Sequence, residues 1–362
     1  MSNDTGPRFE TTTISLPTAG QHTHVPRVVA APDKYRGTAT ATEVAAAIAR
    51  AARAAKGWSC DKAPVADGGE GILEALGGTV RTSRVSGPLG EVVEAQWRMK
   101  DTLRPATAII EMARAAGLDL VGGAEWNDPL RASTAGVGQL IMAAVAAGAR
   151  RVIVGVGGSA TTDGGQGCLE ALEPRARLSG VDLRVACDVT TTFVDAARVF
   201  APQKGATPKQ VELLTRRLER LAQVYEETYG VDVRDLPGSG AAGGLAGGLA
   251  AVGAELVPGF DLVADAIGLA DRIEKADLVV TGEGYLDEQS FNGKAVGGVV
   301  SLSIELGVPV VVIAGDCLPG IELPDGDVEI VSLVEEFGQD EATQRTGACV
   351  ESVVTRYLGT AR

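Results

Sequence analysis

Residues 152–165 read Val152-Ile-Val-Gly-Val-Gly-Gly-Ser-Ala-Thr-Thr-Asp-Gly-Gly165, and Gln166 follows. A short apolar run, Val152–Val156, gives way to a loop of glycines, hydroxyls and one carboxylate. A helix is expected from about Gln166. The same order recurs on both sides of this stretch. Arg27–Ala31 precedes a helix expected over Thr40–Lys56, and Leu278–Thr281 leads to one over Lys294–Leu306. Val308–Ala314 then reads as a further strand. Strands alternating with helices in this way predict an α/β fold on a mainly parallel sheet. Aromatic residues make up only 4% while alanine and glycine abound, so helices are expected to pack closely on the sheet.

One stretch departs from this order. Val80–Ser86 and Glu91–Met99 flank Gly87-Pro88-Leu89-Gly90 and read as a β-hairpin, which predicts a mixed sheet in mid-chain. Further helix starts are expected at Ser133, as the cap before Ala135–Ala147 closed by Gly148, and at Thr207-Pro208. Residues 1–26 are polar and read as a disordered tail.

Composition excludes several classes of function. The chain has 362 residues, a prior near two domains, with 47 acidic residues against 33 Lys plus Arg and a formal charge of −14. That balance disfavours nucleic acid and anionic membrane as partners. The two histidines, His22 and His24, both lie in the polar opening segment. Catalysis by a core imidazole is thereby set aside, and proton chemistry falls to carboxylates, Lys, Tyr or Cys. The five cysteines (60, 168, 187, 317, 349) form no C-x-x-C pair and read as buried thiols in a reducing compartment. With no secretory signal and no apolar span of membrane length, a cytoplasmic location is expected.

Ligands of parallel α/β sheets bind where strands end and helices begin. Three such loops here pair glycine with carboxylate: Ala66-Asp-Gly-Gly-Glu-Gly71, Gly155–Gly165 and Thr281-Gly-Glu-Gly-Tyr-Leu-Asp287, the last followed by Gly293-Lys294. Glycines let backbone amides approach an anion closely. One such loop reads as a tight turn with Asp163 as a helix cap; three together point to phosphate and Mg²⁺. Gly293-Lys294 is not a P-loop end, because Ala295 replaces the hydroxyl residue. Gly238-Ser-Gly-Ala-Ala-Gly243 matches G-x-G-x-x-G, but Pro237 and the missing strand make it a glycine-rich helix start whose amides are expected to face an anion. Lys34, Arg36, Lys204 and Lys294 all sit in loops before expected helices, where several cations together would suit a polyphosphate.

These motifs, in this order, resemble the class I (bacterial-type) glycerate kinases. Pro64-Val-Ala-Asp-Gly-Gly-Glu-Gly71 is similar to that family's P-M-A-D-G-G-E-G. Ile110-Glu-Met-Ala113 with Gly117-Leu118, and Gly155–Gly165, match its I-E-M-A…G-L and G-x-G-G-S-A-T-x-D-G-G. Ala186-Cys-Asp-Val189, Pro202-Gln-Lys-Gly-Ala206, Pro237–Gly244 and Thr281-Gly-Glu-Gly284 follow in the family's order. The resemblance implies ATP-dependent phosphorylation of D-glycerate to 2-phosphoglycerate with Mg²⁺. It also implies two dissimilar α/β/α domains, one mainly parallel and Rossmann- or flavodoxin-like, one with a mixed sheet. Residues 27–78 plus 270–362 would form a discontinuous domain, with 79–269 inserted, and the reaction would take place in a cleft between them.

Three stretches differ from the family pattern. Pro32-Asp-Lys-Tyr-Arg-Gly37 stands for P-D-S-F-K-G, Tyr285 stands where G-E-G-R-x-D has Arg, and the segment from Asp188 to Phe200 is altered. These acceptor-side changes leave a kinase for a related hydroxy or sugar acid, or a non-catalytic binding protein, as alternative readings. For in-line transfer, Gly157, Gly158, Ser159, Thr161, Asp163, Lys204, Gly282 and Glu283 are expected at the nucleotide. Asp67, Glu283 and Asp287 are the candidates for Mg²⁺. Asp188 is the expected base and Asp33 the second choice, with Lys294 as a catalytic cation. Lys34, Arg36 and Asp67 are expected to meet the acceptor.

Overall fold

The computed structural model describes residues 25–55, 57–291, 294–322 and 324–360. The expectations for His22, His24, Gly293 and residues 1–24 of the tail lie outside them. The strands, in chain order, are β1 (Arg27–Ala30), β2 (Ser59–Lys62), β3 (Thr79–Ser86), β4 (Val92–Lys100), β5 (Thr107–Glu111), β6 (Arg151–Gly155), β7 (Asp182–Ala186) and β8 (Glu255–Val257). They continue with β9 (Leu278–Thr281), β10 (Tyr285–Leu286), β11 (Val310–Ala314), β12 (Asp316–Cys317) and β13 (Val328–Ser332). The chain divides into two compact units, residues 1–65 with 268–362 and residues 66–267.

The first unit carries a five-stranded sheet in the order β13-β11-β9-β1-β2, parallel throughout. Its central strands β1, β9 and β11 are almost continuously apolar because both faces are covered. Val28, Ala30, Val280 and Ile313 pack against the helices Ala41–Ala54 and Thr346–Thr360. The helix Ala295–Glu305 contacts β9 and β11. Thr40 opens Ala41–Ala54 with a reciprocal capping box to Glu43. From β1 the sheet grows one way through β2 and the other way through β9. The loops after β1 and β9 therefore start at a switch point at the strands' carboxyl ends, the usual place for a ligand in a parallel sheet.

The second unit carries a six-stranded sheet in the order β3-β4-β5-β6-β7-β8. The expected hairpin is β3–β4, paired antiparallel from Thr79↔Met99 to Ser86↔Val92. β4–β5 is also antiparallel, and β5 to β8 are parallel. One face is packed by Ala108, Ile110, Val152 and Val154 against the helix Ala135–Ala146 and its neighbours. On the other face Ile109 and Ile153 meet Ile72, Leu73 and Leu76 of the helix Ile72–Leu76, and Leu262 and Val263 of Gly259–Ile267. This packing places residues 66–78 with the second unit, whereas the sequence suggested a division after residue 78. The boundary was hidden because the Asp67–Gly71 loop follows a first-unit strand without a composition change. No helix among the described residues is long and apolar enough to cross a membrane.

Candidate active site

The glycine loop after β6 also shapes a cavity in the second unit. After β6 the chain passes through Val156–Gly158, and Gly158 adopts φ +65°. That left-handed backbone favours glycine, and a Cβ there would push aside the Glu70 carboxylate, whose Oε1 lies 2.2 Å from its place. Ser159 pairs with Gly117 as an isolated antiparallel bridge, and the Leu118 amide donates to the Gly158 carbonyl at 2.8 Å. These contacts fix the loop against the segment after β5.

Lys204 lies in a short turn, Pro202–Lys204, and is only 3% exposed. Its Nζ donates to the Thr161 carbonyl at 2.6 Å and to Ser159 Oγ at 3.4 Å. Ser159 Oγ also accepts from the Thr161 amide at 3.0 Å and lies 3.1 Å from Thr161 Oγ1. Burial pushes the Lys204 ammonium down to about 7, and the charge of Asp163 partly opposes that shift. Gly157, Gly158, Ser159, Gln203, Lys204 and Ala242 line a cavity of about 380 Å³. Its rim carries the acids Glu70 and Asp119. Backbone glycines, a hydroxyl and a buried cation on one hollow are the kinds of group that an anion site is built from.

Of the residues expected at the nucleotide, Gly157, Gly158, Ser159 and Lys204 line this cavity, and Thr161 stands directly behind it. Asp163 does not share that position. Its Oδ2 accepts from the Thr134 amide and hydroxyl, both at 2.8 Å, and from the Gly167 amide at 3.2 Å. Its Oδ1 takes the Gly165 amide at 3.1 Å. Burial raises its pKa against those bonds. Asp163 is thus a buried brace between two helix starts. It also explains why Ser133 is not the cap itself. Thr134 occupies that position with its side chain turned to Asp163, while Ser133 Oγ accepts from the Ala135 amide at 3.2 Å.

The Gly238–Gly243 amides differ from expectation in a similar way. Those of Ser239, Gly240 and Ala241 donate to the carbonyls of Leu236, Thr191 and Gly238, so they are not open to an anion. The segment instead bends at Ala242 (φ +53°), where Ala241 and Ala242 close one wall of the cavity.

Asp188 follows β7, and its Oδ1 accepts from the Gly259 amide at 2.6 Å, at the start of the helix Gly259–Ile267. The protein crowded around its carboxyl pushes the pKa up to about 7. The amides of Gly259 and Phe260 pull it down, and the negative charges of Asp67 and Asp261 push it up. Asp67 makes a local turn, its Oδ1 accepting from the Gly69 amide at 3.2 Å. Val189, which follows Asp188, and Glu70, three residues after Asp67, line the cavity, whereas the two aspartates are not among its lining residues.

In the first unit the candidates gather at the β1/β9 switch point. The Asp33 amide donates to the Gly282 carbonyl at 2.9 Å, and Lys34 pairs with Asp33 at 4.0 Å. Tyr35 is buried and its hydroxyl donates to the Ile313 carbonyl; burial and then the Glu283 charge raise its pKa. A Cβ on Gly282 would fall 1.8 Å from that same carbonyl oxygen, so the backbone there leaves room only for glycine. Arg36 is exposed. Asp287 accepts from the Ser290 amide and hydroxyl at 3.0 and 3.2 Å and faces Lys294 Nζ at 3.9 Å. Asp287 and Lys294 thus form a local pair, in which Asp287 serves first as a turn brace.

The glycerate kinase family model matches residues 28–176 and 173–360. The chain belongs to the glycerate kinase family. It is 40% identical over 356 residues to glycerate 2-kinase of Escherichia coli K12, covering 87% of this chain and 93% of that one. A glycerate kinase of Halalkalibacterium halodurans is 38% identical over 364 residues, covering 90% and 95%. A solved structure from Salmonella typhimurium LT2, described as glycerate kinase 2, superposes with TM-score 0.78 at 35% identity, covering 92% and 98%.

Two residues were given no role from the sequence, although one of them, Glu111, stands in the Ile110–Ala113 motif. Asn127 Nδ2 donates to the carbonyls of Ala160 and Lys204, both at 2.9 Å, and so ties the glycine loop to the lysine turn. Nothing in its surroundings, Trp126-Asn-Asp-Pro129, announces that role. Glu111 is buried; its Oε1 accepts from the amides of Gly71 and Leu73, and its Oε2 pairs with Arg114. A lone acid ending the apolar strand Thr107–Glu111 was the available signal.

Proposed function

We propose that this protein transfers the γ-phosphoryl group of ATP to the 2-hydroxyl of D-glycerate, giving 2-phosphoglycerate. The observation that carries this reading is the Lys204–Ser159–Thr161 cluster beside the Gly157–Gly158 loop, at a cavity also lined by Glu70 and Val189 from the loops that hold Asp67 and Asp188. Phosphoryl transfer depends on positioning and charge neutralisation more than on covalent help. The Lys204 ammonium and the glycine-loop amides answer the charge of the transferring phosphates. Anion binding favours the protonated form of Lys204, so the lysine takes up a proton as the nucleotide binds.

Asp67 and Asp188 also suit Mg²⁺. Among the described residues no group of three or more His, Cys, Asp or Glu could hold a metal by itself. Mg²⁺ on a nucleotide needs only one or two carboxylates besides phosphate oxygens, and here the charge of Asp67 is near enough to Asp188 to add to the burial that raises its pKa. Asp67 would hold the ion, with Glu283 as the first unit's candidate; when bound it supplies charge neutralisation at the phosphates. Asp188, with a pKa near neutrality, orients the glycerate hydroxyl and takes its proton, and Asp33 is the second candidate for that role. Lys34 and Arg36 are the cations assigned to the glycerate carboxylate, and Lys294 to developing phosphate charge.

The test is steady-state kinetics of Asp188→Asn. Loss of the base lowers kcat by about 10²–10⁴-fold with a small change in KM for ATP. A near-normal kcat removes Asp188 from that role.

A further inference from the structure

The second unit holds another hollow, at the end of its sheet away from the glycine loop. Lys100 ends β4 and is paired with Thr107, the first residue of β5; Thr107 is in turn paired with Arg151, the first residue of β6. Residues opposed across neighbouring strands project to the same face, and Lys100 and Arg151 both line this hollow of about 220 Å³. Two residues further along each strand, Ile109 and Ile153 are paired and form its apolar floor. Leu76 and Ala266 wall it, from the two helices that cover this face. Arg104 reaches it from the turn between β4 and β5.

Two of these three cations, Lys100 and Arg104, have no carboxylate partner among the described residues. Lys100 is half-buried, burial lowers its pKa, and it has no hydrogen-bond or carboxylate partner among the described residues. Arg104 donates only to the backbone carbonyls of Asp101 and Leu103, both at 2.9 Å. Arg151 pairs with Asp182 at 2.6 Å, but Asp182 is shared with Arg184 at 3.2 Å. Three cations thus border one small hollow in a chain of formal charge −14. A half-buried ammonium without a counter-charge is costly unless something anionic comes to it.

We propose that this hollow is a second anion site, which takes a short-chain phosphate monoester. The head lies against Lys100, Arg104 and Arg151, and the carbon chain lies over Ile109 and Ile153. A tetrahedral dianion can accept from three cations at once, which a planar monoanionic carboxylate does less well. The apolar floor has no use for inorganic phosphate alone. The site lies at the Arg151 end of β6, and the cavity of the candidate active site begins past its Gly155 end.

The test uses the full-length protein, a pulse of an amine-acetylating reagent, and peptide mass spectrometry to read each lysine separately. Millimolar monopropyl phosphate is expected to slow acetylation of Lys100 about fivefold while exposed Lys62 reacts at its free rate. Inorganic phosphate at the same concentration protects less. Arg104→Gln, a change in an exposed turn, loses the protection, whereas Lys204→Met retains it because the other cavity is not involved. Unprotected Lys100, equal slowing at Lys62, equal protection by inorganic phosphate, or protection that disappears with Lys204 rather than with Arg104 would each overturn the proposal.

Discussion

Lys204 holds an ammonium where water scarcely reaches, and its pKa of about 7 makes it a reporter of what enters the cavity. In the free protein at pH 8 it is largely neutral; a bound polyphosphate restores its charge. Calorimetry of ATP binding in buffers of different ionisation enthalpy is therefore expected to show uptake of about one proton per nucleotide. Lys204→Met abolishes that uptake. Binding without proton uptake in the wild type would place the phosphates elsewhere. Asp188 has the opposite charge but a similar logic. Its folded pKa is raised from 3.8 to about 7, so the folded state holds a proton that the unfolded chain releases, and stability falls as pH rises through that interval. Asp188→Asn keeps an acceptor for the Gly259 amide and removes the ionisation. Its melting temperature is expected to exceed that of the wild type above pH 7 and to converge with it below pH 4. A constant difference across that range would mean that the carboxylate is not held up by its surroundings. At this scale the sequence was a partial guide. Ser159 and Lys204 could be named from residue type and loop position. That Asp163 faces inward could not, because its four bonding donors come from Thr134, Gly165 and Gly167, a pairing that only the tertiary fold creates.

The helix starts around Asp163 show what an element needs beyond its own sequence. Asp163 joins the start of Ala135–Ala146 to that of Gln166–Ala171, with Thr134 Oγ1 also accepting from the Cys168 amide at 3.0 Å. Thr134→Val preserves shape and removes both hydroxyl bonds, taking the acceptor from the buried Cys168 amide and one of three donors from Asp163 Oδ2. The expected cost is about 1–3 kcal/mol in urea unfolding, with KM for ATP near wild type because Thr134 lines neither the cavity nor its lysine. Unchanged stability would show that the brace is dispensable. Elements whose signals are local were legible: Thr40 and Thr207 both make full capping boxes, and the Gly87–Gly90 turn closes a register-perfect hairpin. Elements whose ends are set by distant partners were less so. The glycine run at 238–243 has the composition of an anion loop, yet its amides are taken by Leu236, Thr191 and Gly238.

Over the whole molecule, alternating apolar runs announced an α/β protein, and the hairpin announced that one sheet would be mixed. The division near residue 66 had no such signal, since it depends on Ile72, Leu73 and Leu76 packing against Ile109 and Ile153 rather than on any linker. The chain belongs to the glycerate kinase family, and Gly157, Gly158, Ser159 and Lys204 are proposed to hold the nucleotide phosphates in the cavity they line. The most direct measurement is ADP release from Mg·ATP with D-glycerate as acceptor, run on the wild type and on Lys204→Met. The account predicts release that requires glycerate, and a KM for ATP raised about tenfold or more in the variant while KM for glycerate changes little. Release indifferent to glycerate, or a variant with wild-type KM for ATP, would contradict it.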